Sequence, residues 1–333
     1  MSYNSSKIFF LFILIFSTFV VISSNSWLGC WMGLEMNLLS FIPLISNSNN
    51  LLSTEASLKY FLTQSIASIN FLFFILMIMI FKNFLMNHFL LILTNFTLLM
   101  KMGSVPFHFW FPNMVEGLSW FNNFILMTWQ KISPMILMSY YFNLNLMILT
   151  ILMNTIIGAL GGIKQTSLRK LMAFSSINNL GWMMTAIMIS ENLWFFYMLI
   201  YMFMMSIMCF LFNMMNIFFI NQFFITNMNS IIKINLMINF LSLGGLPPFL
   251  GFFPKWIIIN LLMNNNLIFM IFIMIMMSLI ILFFYIRIIY SSIMFNYFKL
   301  KWFNYNFNNK MFLINIFSFL SIFLMIICSF FFY

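Results

Sequence analysis

Long apolar runs separated by short polar breaks recur from Ser6 to Tyr333, and no break is long enough to house a soluble domain. A hydrocarbon core about 30 Å thick requires about 20 apolar residues per helix, so each run predicts one membrane span. The pattern gives eleven spans, over 8–24, 28–45, 58–80, 88–111, 123–143, 147–163, 172–189, 193–219, 233–260, 267–289 and 311–332. Asn-rich breaks such as Asn47 to Asn50 and Asn304 to Asn309 read as loops. The expected fold is an all-α polytopic membrane protein, a single integral domain over residues 1–333.

Composition agrees with that pattern. At 64% hydrophobic and 5% charged, the chain has too few polar groups to cover a water-soluble surface. Lys7 ahead of the first run and Ser23 to Ser26 after it give the outline of a signal peptide, but the run reads better as a span. Cys30, Cys209 and Cys328 are far apart and form no C-x-x-C pair, which argues for packing residues rather than disulfides or a metal site. The excess of Met, Phe, Ile and Asn, with no Asp, suggests nucleotide bias in an A+T-rich organellar genome.

The net charge of +10 is mostly a topology signal. Threading the spans alternately through a membrane puts Lys7, Lys59, Lys164, Arg169, Lys170, Lys233, Arg287, Lys299, Lys301 and Lys310 on the side of the N-terminus and Lys82 alone opposite. By the positive-inside tendency the N-terminal face is the cytoplasmic or matrix side. Nucleic-acid binding would need a basic soluble surface with groove-reading motifs, and the chain carries none.

Three lysines fall within spans: Lys101, Lys131 and Lys255. A lysine at a bilayer centre costs about 2.5 to 3.5 kcal/mol, so each marks a functional site by default. Two of them flank a repeated motif. Residues 103–112 read GSVPFHFWFP and residues 245–254 read GLPPFLGFFP, sharing the frame G-x-x-P-F-x-x-(W/F)-F-P. Lys101 lies two residues before the first copy and Lys255 one residue after the second. Proline removes an intrahelical hydrogen bond, so Gly103, Pro106 and Pro112, and then Gly245, Pro247, Pro248 and Pro254, predict two interrupted helices. Open backbone at membrane depth is tolerated only where protein buries it or water lines it, and repeated broken helices point to a transport site. Pro134, three residues past Lys131, predicts a third break.

The stretches SNSWLGCWMGLEMNLLSFIPL, STEASLKYFLTQ, LLMKMGSVPFHFWFPNMVEGL and LSLGGLPPFLGFFPKW, taken in order, resemble the subunit-2 family of animal mitochondrial NADH dehydrogenase, a branch of the antiporter-like membrane subunits of respiratory complex I. The resemblance covers essentially the whole chain and agrees with the eleven-span, shortened animal form. It implies two inverted repeats, each with a broken helix, about 8–143 and 147–289, followed by a C-terminal helix at about 311–332. It also implies a proton relay in which Glu35 pairs with Lys101 and the polar axis continues through Lys131 and Lys255. Implied too are a place in the mitochondrial inner membrane, encoding by the organelle, and partners among other complex I subunits, especially neighbouring antiporter-like subunits, together with membrane lipids.

Burial disfavours the charged form of a lysine and a nearby carboxylate favours it, so Glu35 is a natural lever on Lys101. His108, between Phe107 and Phe109 in the first repeat, suits a proton shuttle or a bond to backbone exposed by Pro106 and Pro112. Glu55 and Lys59 stand in the favourable i,i+4 order of a surface pair. Glu116, at the inside end of the fourth span, reads as a solvated loop charge, with closure of a water path as the alternative. Glu191 reads as a loop acid, His88 as interfacial, and Thr128, Tyr140, Ser175 and Asn179 as candidates to hold water or bond to backbone. With no G-x-G-x-x-G, no P-loop and no cysteine cluster, no redox cofactor is assigned to this chain; NADH, FMN, iron–sulfur clusters and ubiquinone are expected on other subunits. The leading expectation is a proton-translocating subunit of a redox-driven complex. A stand-alone cation/proton antiporter and a structural membrane scaffold are the alternatives.

Overall fold

A computed structural model describes residues 5–47, 50–81, 84–225, 230–293 and 315–322. The N-terminal tip, Lys82, the loop at 304–309 with Lys299, Lys301 and Lys310, Cys328 and most of the 311–332 span lie outside the described residues. Every described regular element is helical, apart from an isolated antiparallel bridge between Ser167 and Phe219. The order is α1 (Ser5–Ser23), α2 (Trp27–Ile45), α3 (Leu51–Ile80), α4 (Phe84–Met102), α5 (Trp110–Val115), α6 (Trp120–Met127) and α7 (Trp129–Tyr140). It continues with α8 (Leu144–Gly162), α9 (Leu168–Ile189), α10 (Glu191–Met215), α11 (Gln222–Ile225), α12 (Ser230–Gly244), α13 (Phe252–Asn264) and α14 (Ile268–Ile293), and residues 315–322 are helical.

Six of these helices are long and apolar enough to cross a membrane, and Phe89–Met102 and Ile231–Gly244 are shorter apolar helices. The expected 88–111 and 233–260 spans each divide, into α4 and α5 and into α12 and α13. The expected 123–143 span divides too, but not where proline predicted. Pro134 lies inside α7, and the discontinuity falls at Thr128, with φ −115° and ψ −73°. There the Thr128 hydroxyl donates to the Phe124 carbonyl at 2.6 Å, a side-chain bond of the kind that bends helices. Pro43 is likewise carried within α2. Both prolines cost one backbone hydrogen bond without ending the helix.

Helix starts follow local chemistry. Ser26, Asn50 and Ser190 cap α2, α3 and α10 by accepting from the backbone N–H groups of Gly29, Leu52 and Leu193. Glu191, expected in a loop, is instead the first residue of α10, where a carboxylate meets the positive end of the helix. Asn216, in the left-handed region at φ 51°, ends the same helix.

The chain forms two compact units, Met1–Thr150 and Ile151–Tyr333, and α8 runs across the boundary. In the first unit α2 lies between α1 and α3, and α4 packs on α3 and α7. In the second, α9 packs on α10, α13 and α14, and α12 packs on α10 and α14. Large apolar side chains such as Phe12, Phe19, Phe73, Phe269 and Phe283 face outward, while Asn37, Gln64, Asn154, Ser176 and Asn239 are buried. That distribution suits a hydrocarbon solvent, in which polar groups must be satisfied inside the protein. Most span hydroxyls bond to carbonyls three or four residues back, among them those of Ser17, Thr94, Thr155, Ser175 and Thr185.

Candidate functional site: two broken helices and their lysines

The two copies of the repeated motif fold alike. At the end of α4, Gly103 has φ +69°, its N–H donates to the Met100 carbonyl at 3.3 Å, and Ser104 N–H donates to the Leu99 carbonyl at 3.1 Å. At the end of α12, Gly245 has φ +83°, its N–H donates to the Ser242 carbonyl at 3.1 Å, and Leu246 N–H donates to the Leu241 carbonyl at 3.2 Å. Both are Schellman closures, which need a residue at positive φ and therefore favour glycine. Pro112 and Pro254 each stand third in the next helix, α5 and α13, where a missing N–H costs nothing because that donor has no intrahelical acceptor. Each motif thus encodes a stop, a loop and a restart. Pro106, joined to Val105 by a cis bond, and Pro247 and Pro248 occupy the loops.

In the first unit, the last turn of α4 carries Lys101, buried at 7% exposure. Its backbone carbonyl accepts a hydrogen bond from Gln64 Nε2 at 3.1 Å, and the Met100 carbonyl accepts one from Trp110 Nε1 at 3.2 Å. Carbonyls that α4 cannot pair are therefore taken up by α3 and by the restarting helix. A small cavity beside Lys101 is lined by Asn37, Tyr60, Gln64, Gln130 and Ser133, with room for about one water. Gln130 Nε2 donates to Asn37 Oδ1 at 2.8 Å, and Tyr60 hydroxyl donates to Gln130 Oε1 at 3.4 Å.

Lys131 sits third in α7, within its first turn, fully buried, with its ammonium 5.1 Å from the centre of the Phe111 ring. Phe111 in turn packs over Gly103, where a Cβ would come within 2.9 Å of Phe111 Cβ. The break between α4 and α5 is thus in contact with Lys131 through one aromatic ring. Glu35, half-buried on α2, acts electrostatically on Lys101 but stands beyond 4 Å, so the two form no contact ion pair. His108 is buried in the α4–α5 loop with its ring 4.2 Å from that of Phe109.

In the second unit, Lys255 stands fourth in α13 and is 7% exposed. Its ammonium donates to the Gly244 carbonyl at 3.0 Å, reaching back across the break to the last residue of α12, and lies 5.7 Å from the Trp182 ring centre on α9. The adjoining cavity, lined by Asn179, Tyr197, Tyr201, Ser242 and Gly251, has room for about one water. Tyr197 hydroxyl donates to Asn179 Oδ1 at 3.3 Å.

Gln64, Asn37, Gln130 and Ser133 were not among the expected site residues. Only Gln64 carried a local signal, the polar stripe of Ser53, Ser57, Tyr60, Gln64 and Ser68 on the buried face of α3; Asn37 lies on α2, and Gln130 and Ser133 on α7. Of the remaining candidates, Thr128 and Ser175 bond to backbone, Asn179 lines the Lys255 cavity, and Tyr140 is exposed, its ring 6.3 Å from that of Trp27. Glu116 is half-buried at the end of α5, and Cys30 and Cys209 are buried and unbridged. Among the described residues, no group of three or more His, Cys, Asp or Glu is placed to hold a metal. Lys59 and Glu55 form a 2.5 Å pair on the exposed face of α3. Glu55→Gln should therefore shift thermal stability by less than about 0.5 kcal/mol and leave proton translocation unchanged, as a melting curve and a pumping assay would show.

The sequence profile described as NADH:quinone oxidoreductase/Mrp antiporter, TM matches residues 24–281, a stretch that contains both broken helices and all three buried lysines. NADH-ubiquinone oxidoreductase chain 2 of Anopheles gambiae is 53% identical over 320 residues, covering 94% of this chain and 94% of its own. The chain belongs to this antiporter-like family. The corresponding chain 2 of Aedes aegypti is 51% identical over 96% of this chain and 95% of its own. Among solved structures, a chain of respiratory complex I from Thermus thermophilus superposes with a TM-score of 0.85 at 18% identity, over 97% of this chain and 78% of that one. At that identity the likeness speaks to the antiporter-like fold, which this chain shares.

Proposed function

We propose that this chain carries protons through a buried relay of Glu35, Lys101 and Lys131 in the first unit and Lys255 in the second. The chain is a proton-translocating membrane subunit of NADH:ubiquinone oxidoreductase, and it contributes to that reaction without a redox centre of its own being assigned to it. The observation that carries the relay is that each buried lysine is built into a helix interruption: Lys101 in the last turn before one, Lys255 bonded across another, and Lys131 just past the Thr128 break and against Phe111. A half-helix end presents partial charge from its unpaired carbonyls, so small displacements there change the field at an ammonium.

In this reading eleven spans cross the mitochondrial inner membrane with the N-terminus in the matrix, in two inverted repeats. Neighbouring antiporter-like subunits and lipids cover the apolar outer faces. His108 serves as a shuttle beside the first break. Redox energy released in other subunits reaches the relay as a change of field, and the scale is adequate, since moving one charge across 100 mV costs about 2.3 kcal/mol.

Glu35→Gln removes a negative charge that acts on Lys101 while keeping the side chain's shape. In the assembled complex reconstituted into vesicles, it should slow coupled proton translocation by about tenfold. An unchanged proton-to-electron ratio and rate in a fully assembled Glu35→Gln complex would remove Glu35 from the relay.

A further inference from the structure

The polar residues of α12 do not end at the Lys255 cavity. Asn235, Asn239 and Ser242 are all buried and recur at the four- and three-residue spacing of one helical stripe. Ser242 lines the cavity beside Lys255, and its hydroxyl donates to the Asn239 carbonyl at 2.7 Å. One turn back, Asn235 Nδ2 donates to Asn315 Oδ1, and Asn235 Oδ1 accepts from the Ser318 hydroxyl at 3.0 Å. The C-terminal helical segment 315–322 therefore runs along this stripe, and Leu250 N–H, in the α12–α13 loop, donates to the Ser321 carbonyl at 3.3 Å. Ser318 and Ser321 are fully buried.

Asn239 occupies the middle of this seam at 1% exposure, yet neither end of its carboxamide has a protein partner. A buried amide left without hydrogen bonds is costly, and in native proteins such groups are met by ordered water. A water there needs two to four polar neighbours, and Asn235 and Ser242 stand one turn away on either side of Asn239 in the stripe.

We infer that the seam between α12 and the C-terminal helix is a hydrated branch, centred on Asn239, that delivers water-borne protons to Lys255 from the end of α12 carrying Lys233. This rests on the proposed relay role of Lys255. Asn239 is a positioning residue, because it orders water and does not itself exchange a proton.

The test uses the assembled complex in vesicles. Asn239→Leu keeps the heavy-atom count and branching and removes the polar atoms, and it should lower coupled proton translocation about fivefold. Asn239→Ser, which leaves a hydroxyl and room for water, should recover most of the rate. A high-resolution map of the wild-type complex should show water bonded to both ends of the Asn239 amide. If Lys255→Met stops pumping while Asn239→Leu does not, the branch is wrong and the relay stands. If Lys255→Met pumps normally, both fall. Should Asn239→Leu fail to assemble, the wild-type map decides, and an Asn239 bonded only to protein overturns the branch.

Discussion

Lys131→Met should reduce proton translocation by the assembled complex by about a hundredfold, the lower end of what one proton-transferring group contributes, while assembly is kept. Methionine nearly matches lysine in length and keeps a favourable contact with the Phe111 ring, on which the ammonium now sits at 5.1 Å. What disappears is the proton carrier. Exchanging a buried charge for an apolar side chain of similar volume is often neutral or stabilising, so the two readouts should move in opposite directions. A lysine kept only to fix helix register gives the reverse result, lost assembly with pumping intact in whatever complex remains. Yield on a native gel and proton-to-electron ratio in vesicles separate the outcomes.

Gly251→Ala should prevent the second unit from folding correctly, with assembled complex reduced severalfold. A Cβ at Gly251 would be driven into the carbonyl oxygen of Ser242. Both groups are backbone, so no side chain can swing aside. That carbonyl also accepts the Gly245 N–H that closes the end of α12, so moving it opens the turn and disturbs the Lys255 cavity that Ser242 and Gly251 line together. Overpacking of this kind costs about 1 to 3 kcal/mol or more, enough to change cellular abundance. Gly245→Ala is a milder comparison, since a left-handed φ costs about 1 to 2 kcal/mol and its Cβ would press chiefly on the flexible Lys255 side chain, with Nζ at 3.0 Å, rather than on backbone. Wild-type levels of complex with Gly251→Ala would show that α12 and α13 do not meet as described.

The broken helices were legible in the sequence because Gly and Pro act locally. Gly103 and Gly245 mark positive φ, and Pro112 and Pro254 mark helix restarts, whatever surrounds them. Pro134 misled for the same local reason, since proline reports a lost bond but not whether neighbouring helices make the loss tolerable. The Thr128 break had no Gly or Pro to announce it; there the Phe124 carbonyl accepts both the hydroxyl and the N–H of Thr128. Gln64, Asn37 and Gln130 were hidden because their partners are distant in sequence: Gln64 serves a carbonyl 37 residues away and Gln130 an amide 93 residues away. The lysines stood out because hydrocarbon makes an unexplained cation conspicuous. The surroundings of Lys101 and Lys131 required the packing of α4 on α7, and those of Lys255 the packing of α9 on α13.

The bond from Lys255 to the Gly244 carbonyl makes the proposed proton carrier a latch as well. It fastens the tail of α12 to the head of α13, so the two half-helices cannot slide apart without stretching it. Within the proposed relay, work that parts the two rods at this joint is felt at the Lys255 nitrogen, and a proton leaving that nitrogen loosens the joint in return.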